Sequence, residues 1–150
     1  MSVGVKIKVL SANCQGLRDI KKRIDVLNYL KDKKADIICL QDTHWVEKDE
    51  PQIRAIWGNE CIVHGLKTNS RGVAVLFGKD FEFKILHSDK YENGNMLVVD
   101  IKISDLHLKL INLYGPNKDT PAFYQNLESI IETSTVIKII CYFVAISIWS

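Results

Sequence analysis

The chain has 150 residues, 47% of them hydrophobic and 25% charged, which is enough for one domain with a buried core. With 20 basic and 18 acidic residues the net charge is only +2, so composition excludes a strongly basic surface and neither demands nor excludes nucleic acid. The start, MSVGVKIKVL, lacks the order of a secretory signal, and the apolar run from Ile139 is shorter than the ~20 residues that span a bilayer. Neither secretion nor a membrane anchor is expected.

In chain order, VKIKVLSAN alternates Val5, Ile7 and Val9 with Lys6 and Lys8, the period of a strand with one buried face. From Ile20 the positions Ile20, Ile24, Leu27 and Leu30 recur at helical spacing, which predicts an amphipathic helix with those four side chains inward. ADIICLQ then reads as a short strand buried on both faces, so strand, helix and strand suggest a crossover unit. A weakly helical stretch runs from Ile53 to Trp57. Five strands follow, CIVHGL, GVAVLFG, FEFKIL, MLVVDIKI and LKLINLYG, separated by turn residues and close enough to form antiparallel meanders. Thr120 and Pro121 open a further helix whose inner face carries Phe123, Leu127, Ile130 and Ile131, and a last strand is expected from Val136. The architecture is α/β, mixed sheets with outer helices. Cys14, Cys39, Cys61 and Cys141 form no C-x-x-C pair and read as reduced thiols of an intracellular protein, in nucleus or cytoplasm.

Several apolar strands end in polar residues: Asn13, then Gln41-Asp42-Thr43-His44, and Asn112 through Asn117. Arg71-Gly72 stands just before another strand. Strand ends are where α/β folds hold reactive groups on a rigid frame. Singly, each of these has an ordinary explanation as a turn residue, a helix cap or a packed aromatic.

Taken in order, SANCQGLRD, IICLQDTHW, SRGVAVLF and LINLYGPN resemble the successive motifs of the endonuclease/exonuclease/phosphatase superfamily. They are most similar to the apurinic-type endonuclease domain of non-LTR retrotransposons of the long interspersed element kind. The resemblance runs from about Val5 to Ile131 and implies the N-terminal part of a four-layered α/β sandwich, with two mixed, largely antiparallel sheets and outer helices. It also implies magnesium-dependent hydrolysis of DNA phosphodiesters within a parent protein that carries a reverse transcriptase. Carried over residue by residue, it makes Asp42 the metal ligand and Asn13 a holder of the metal and phosphate environment. Tyr114 and Asn117 become contacts to the scissile phosphate, with His44 and Arg71 beside the substrate.

Two departures matter. The family prefers Glu where this chain has Asp42, and the shorter arm draws the carboxylate back by about 1.5 Å, which weakens magnesium binding. The family motifs GDFN, which places an Asp and an Asn near the attacking water, and SDH, which supplies the base, do not occur in these 150 residues. HSD at His87 to Asp89 has the reverse order and reads as surface, and His64 and His107 read as ordinary polar residues. In the family the second sheet comes mainly from the later portion, so an exposed apolar face and a partly molten product are expected.

The boundary is set at 1–135 for the endonuclease-like portion and 136–150 for the apolar tail. The tail has two readings. IKIICYFVAISIW can pair as a strand. Alternatively, Phe143 to Ser150 admit codons that spell CGDFNLV when read from the third base of each, which makes the tail the frameshifted end of a retrotransposon copy. The resulting expectation is a retrotransposon-derived endonuclease domain fragment without turnover. The alternatives are a catalytically dead DNA-binding or interaction module, and a phosphoesterase of the same superfamily acting on another phosphodiester.

Overall fold

Asp19 starts the first helix: its carboxylate accepts the Lys22 amide N–H at 2.9 Å, so α1, Ile20–Asp32, begins at once after the turn. The strands on either side, β1 (Val9–Asn13) and β2 (Ile37–Gln41), pair in parallel and complete the expected crossover unit. The computed structural model describes residues 6–91, 94–115, 125, 128–129 and 137–144. Strand β1 is shorter than the alternation predicts: its register with β2 starts at Val9 and Ile37, and before it the Lys8 carbonyl accepts the Asp36 and Ile37 N–H groups at 2.9 and 3.2 Å.

The inward face of α1 differs from the sequence expectation. Leu27 and Leu30 are buried, but Ile20 and Ile24 are 47% and 37% exposed, and Arg23 takes the inward position. A buried guanidinium is tolerable only with partners. Arg23 donates from Nε to the Leu17 carbonyl at 3.0 Å and from Nη1 to Gln52 Oε1, and it lies over the Trp45 ring at 5.8 Å. Burial still lowers its pKa, against the opposing pull of Asp49.

A 3₁₀ turn, Glu47–Asp49, leads into α2, Glu50–Trp57, which has Pro51 in its first turn. Gly58, at φ +87°, ends it with an N–H bonded to the Arg54 carbonyl at 2.8 Å. Ile53 and Trp57 face inward, and the Trp57 indole donates to the Phe77 carbonyl at 2.8 Å.

Strands β3 (Cys61–His64) and β4 (Val73–Phe77) complete sheet A in the order β1-β2-β4-β3. Sheet B is β5 (Lys84–Tyr91), β6 (Met96–Ile103), β7 (Leu106–Gly115) and β8 (Ile137–Val144), in that order. The first three form an antiparallel meander, and β8 joins β7 in parallel, so both sheets are mixed. The last strand expected from Val136 is therefore β8. The FEFKIL strand starts later than predicted: Phe81 and Phe83 precede β5 and stack with Phe77, with centroids of Phe77 and Phe83 4.2 Å apart. His87 and Asp89 lie on β5, exposed and bonded to each other at 2.9 Å. Of the helix expected from Thr120 to Ile131, only residues 125 and 128–129 are described, and these are helical.

Because β2 is covered on both sides, its residues divide between two cores. Ile38 and Leu40 meet the helices with Leu27, Trp45 and Ile53. Ile37 and Cys39 join Val73, Val75 and Phe77 against Leu97, Val99, Ile101, Leu108 and Leu110 of sheet B. All ten of those side chains are at most 1% exposed. Here the expectation of an uncovered inner face is corrected. The meander β5 to β7 and strand β8 themselves supply a four-stranded second sheet, and the two sheets bury each other's apolar faces. The expected α/β sandwich is present, with helices, sheet A and sheet B as its described layers.

Candidate active site

Parallel strands end on the same side, and β1 and β2 bring Asn13 and Gln41 into register, with Asp42 the next residue. Strand β4 runs the other way, so its start, Val73, pairs with Gln41 and places Arg71 and Gly72 at the same edge. The segment after β2 is threaded between two loops. On one side the carbonyls of Gln41, Asp42 and Thr43 accept the N–H groups of Cys14, Gly16 and Leu17, each at 2.8 Å. On the other, the N–H groups of Thr43 and His44 donate to the carbonyls of Gly72 and Arg71 at 3.1 and 2.8 Å.

That path bends the backbone. Asp42, His44 and Arg71 have φ of +56°, +60° and +60°, left-handed conformations that cost free energy in non-glycine residues and concentrate at functional sites. Asp enters this region more readily than Glu, which gives position 42 a local reason for the shorter acid. Gly72, at φ +91°, could carry a side chain only under strain: a Cβ there would lie 2.7 Å from Thr43 Oγ1.

The Asp42 carboxylate accepts a hydrogen bond from His44 Nε2 at 2.9 Å, with the two side chains 19% and 22% exposed. The ring of His44 lies so close to Gly16 that a Cβ on that glycine would approach Nδ1 to 2.7 Å. Asn13 Oδ1 accepts the Gln15 N–H at 3.3 Å. Tyr114, next to last in β7, arrives from sheet B, and its N–H donates to the Asn95 carbonyl at 2.7 Å. Burial raises the pKa of its phenol, the negative charge of Asp42 acts in the same direction, and Arg71 opposes both. Burial likewise pushes the Cys14 thiol up to about 12, with Asp42 adding to the effect and Lys22 resisting it.

Five of the six residues singled out in the sequence, Asn13, Asp42, His44, Arg71 and Tyr114, thus share one edge of the sandwich. Asn117 lies outside the described residues. His64 serves a different purpose: buried, it faces Glu47 through Nδ1 at 3.0 Å, while Nε2 sits between the Tyr91 carbonyl and the Gly94 N–H. Two residues that received no role from the sequence stand out. Gln41 and Asn112, at 1% and 0% exposure, join their amides across the two sheets, Gln41 Nε2 to Asn112 Oδ1, at 2.9 Å. The signal for them was a polar residue inside an apolar strand, in IICLQ and LINLY.

Among the described residues no three His, Cys, Asp or Glu side chains gather as a metal cage. The donors present are one carboxylate, Asp42, and the amide oxygen of Asn13. This hard oxygen set suits a divalent cation that keeps most of its waters.

The sequence is 28% identical over 114 residues to an exodeoxyribonuclease of Bacillus subtilis (strain 168), covering 74% of this chain and 43% of that one. It is 24% identical over 129 residues to the transposon TX1 uncharacterized 149 kDa protein of Xenopus laevis, covering 85% of this chain and 10% of that protein. The chain thus spans less than half the length of either relative. In fold it is similar to the endonuclease domain of TRAS1, a telomere-specific non-LTR retrotransposon, with a TM-score of 0.61 at 16% identity over 91% of this chain and 59% of that domain. Residues 10–132 match the Endonuclease/Exonuclease/phosphatase family, and the chain belongs to that family.

Proposed function

We propose that this edge is the metal- and phosphate-binding part of a divalent-metal-dependent endonuclease that acts on DNA, of the kind carried by retrotransposons beside a reverse transcriptase. The observation that carries the reading is the convergence on one edge of Asp42 and Arg71, which flank the Gln41–Val73 pair of sheet A, and of Tyr114, two residues beyond the Asn112 that bonds Gln41 from sheet B. The printed identities of the relatives, a deoxyribonuclease, a transposon protein and a retrotransposon endonuclease, favour DNA over other phosphodiesters.

In this reading Asp42, with Asn13 beside it, holds Mg2+, which when bound polarises the phosphoryl oxygens and offsets charge developing in the displacement. His44, already donating to one carboxylate oxygen, orients Asp42 and leaves the other oxygen for the ion. Tyr114 donates its phenol proton to a phosphate oxygen, and burial raises the pKa of that phenol above its ordinary value. Arg71, exposed at the rim, pairs with the phosphate backbone, and the motif YGPN assigns Asn117 a phosphate contact by resemblance alone. The groups that would position the attacking water and accept its proton belong to GDFN and SDH, which these 150 residues lack. The chain by itself is therefore expected to bind without turning over.

Fluorescence anisotropy with a short duplex, with and without Mg2+, tests the binding, and plasmid nicking tests the turnover. Magnesium-dependent binding should weaken in Asp42→Ala and fall by about tenfold in Arg71→Ala. Binding indifferent to metal and to Asp42 would instead describe a passive DNA-binding module. Nicking above a mock preparation that disappears in Asp42→Ala would overturn the lack of turnover and leave the endonuclease reading in place.

A further inference from the structure

The facing sheets are apolar along nearly all their shared surface, and such contacts have no preferred direction. At the end nearest the candidate site this changes. Asn112, on β7, donates from Nδ2 to the carbonyls of Leu40 at 3.1 Å and Ala74 at 2.7 Å, so one side chain of sheet B grips two neighbouring strands of sheet A. Its Oδ1 accepts from Gln41, whose Nε2 also donates to Ser11 Oγ on β1 at 2.9 Å. Unlike apolar packing, these bonds tolerate only a few tenths of an ångström and a limited range of angles.

We propose that Gln41 and Asn112 are positioning residues, a clamp that fixes where the end of β7 stops relative to the end of β2 and so sets the separation of Tyr114 from Asp42. Gln41 immediately precedes Asp42, and Asn112 lies two residues before Tyr114 on the same face of its strand. A slip of one residue along a strand is about 3.3 Å, and productive catalytic geometry tolerates about 0.5 Å, so an apolar interface alone would hold this edge too loosely. The amides are not expected to be needed for stability: replacing satisfied buried polar groups with apolar ones of similar volume is often neutral or stabilising. The proposal rests on the endonuclease reading only in taking this edge to be the active site.

The test labels the chain with 3-fluorotyrosine and follows the fluorine resonance of Tyr114 at neutral pH, assigned by its loss in Tyr114→Phe. In the parent, Asp42→Asn removes a nearby charge and should move that resonance. In the double variant Gln41→Met/Asn112→Leu the chain should still unfold cooperatively at an unchanged or higher temperature, while the Asp42→Asn displacement shrinks as phenol and carboxylate drift apart. A clamp that served only stability would lower the unfolding temperature and leave the displacement intact. An undiminished displacement in the folded double variant, or none in the parent, overturns the proposal. If the double variant does not fold, Gln41→Met alone keeps both donor bonds of Asn112 and carries the same comparison, with a partial loss expected and an unchanged displacement overturning. Neither metal nor DNA is needed, so failure of magnesium-dependent binding would count against the proposed function alone.

Discussion

Strands β2 and β4 lie side by side over five residue pairs, and their two ends are built differently. Where Ile37 faces Phe77 the pairing closes on aromatic packing, with the fully buried Phe77 ring stacked against Phe83 and the Gly78 N–H bonded to the Asp36 carbonyl at 2.9 Å. Where Gln41 faces Val73 it closes on buried amides, left-handed backbone and a carboxylate shared with a histidine. The contrast separates two tasks within one pair of strands: the first end supplies stability, and the second holds geometry that costs stability.

Phe77→Ala should be the most damaging change. Removing a fully buried, stacked ring is expected to cost about 3–5 kcal/mol, read from urea unfolding, while the Tyr114 resonance of the chain that remains folded stays in place. A loss below about 1 kcal/mol would break the division of labour.

Gly72→Ala comes next, and from the opposite end. The added Cβ meets Thr43 Oγ1 at a backbone angle that favours glycine, so stability should fall by more than about 1 kcal/mol. The same clash sits on the segment carrying Asp42, and the proposed magnesium-dependent DNA binding should be lost at temperatures where the variant is still folded. Binding that merely tracks the folded fraction would place the constraint in stability alone.

The smallest effect distinguishes two thiols. Burial pushes both Cys14 and Cys61 up to about 12, but Asp42 contributes only at Cys14. Both should resist a thiol reagent at pH 8, and Asp42→Asn should quicken Cys14 while leaving Cys61 unchanged, as read by mass spectrometry. Both thiols have folded-state pKa values above the ordinary 9.0, so on raising the pH the unfolded chain ionises first. Their contribution is complete below pH 9 and should be lost progressively between about 9 and 12.

Most strands were legible because apolar runs bounded by turn residues have few other uses, and MLVVDIKI became β6 to the residue. Periodicity failed where a side chain acted against its type. Arg23 displaced Ile20 and Ile24 from the inner face because Trp45, Leu17 and Gln52 were there to receive it. Phe81 and Phe83 alternate as strand residues do, yet their rings follow Phe77 and the ladder starts at Lys84. At the site, the residues that close apolar strands could be read directly. The left-handed turns and the Gln41 to Asn112 bond could not, since the bond joins residues 71 positions apart and exists only once two sheets meet.

The order of strands along the chain has a consequence for synthesis. Among the described residues, sheet A draws its strands from residues 9–77 and sheet B from 84–144, so the ribosome delivers β1 to β4 before β5 to β8. At ~5–20 residues per second, β1 to β4 have seconds in which to pair while their partner is still unmade. During that interval Ile37, Cys39, Val73, Val75 and Phe77 form a water-exposed face that vanishes from the finished fold. A nascent chain halted after Phe77 and before β7 is therefore expected to expose apolar surface that the finished fold buries, and slow codons in that stretch would prolong the exposure.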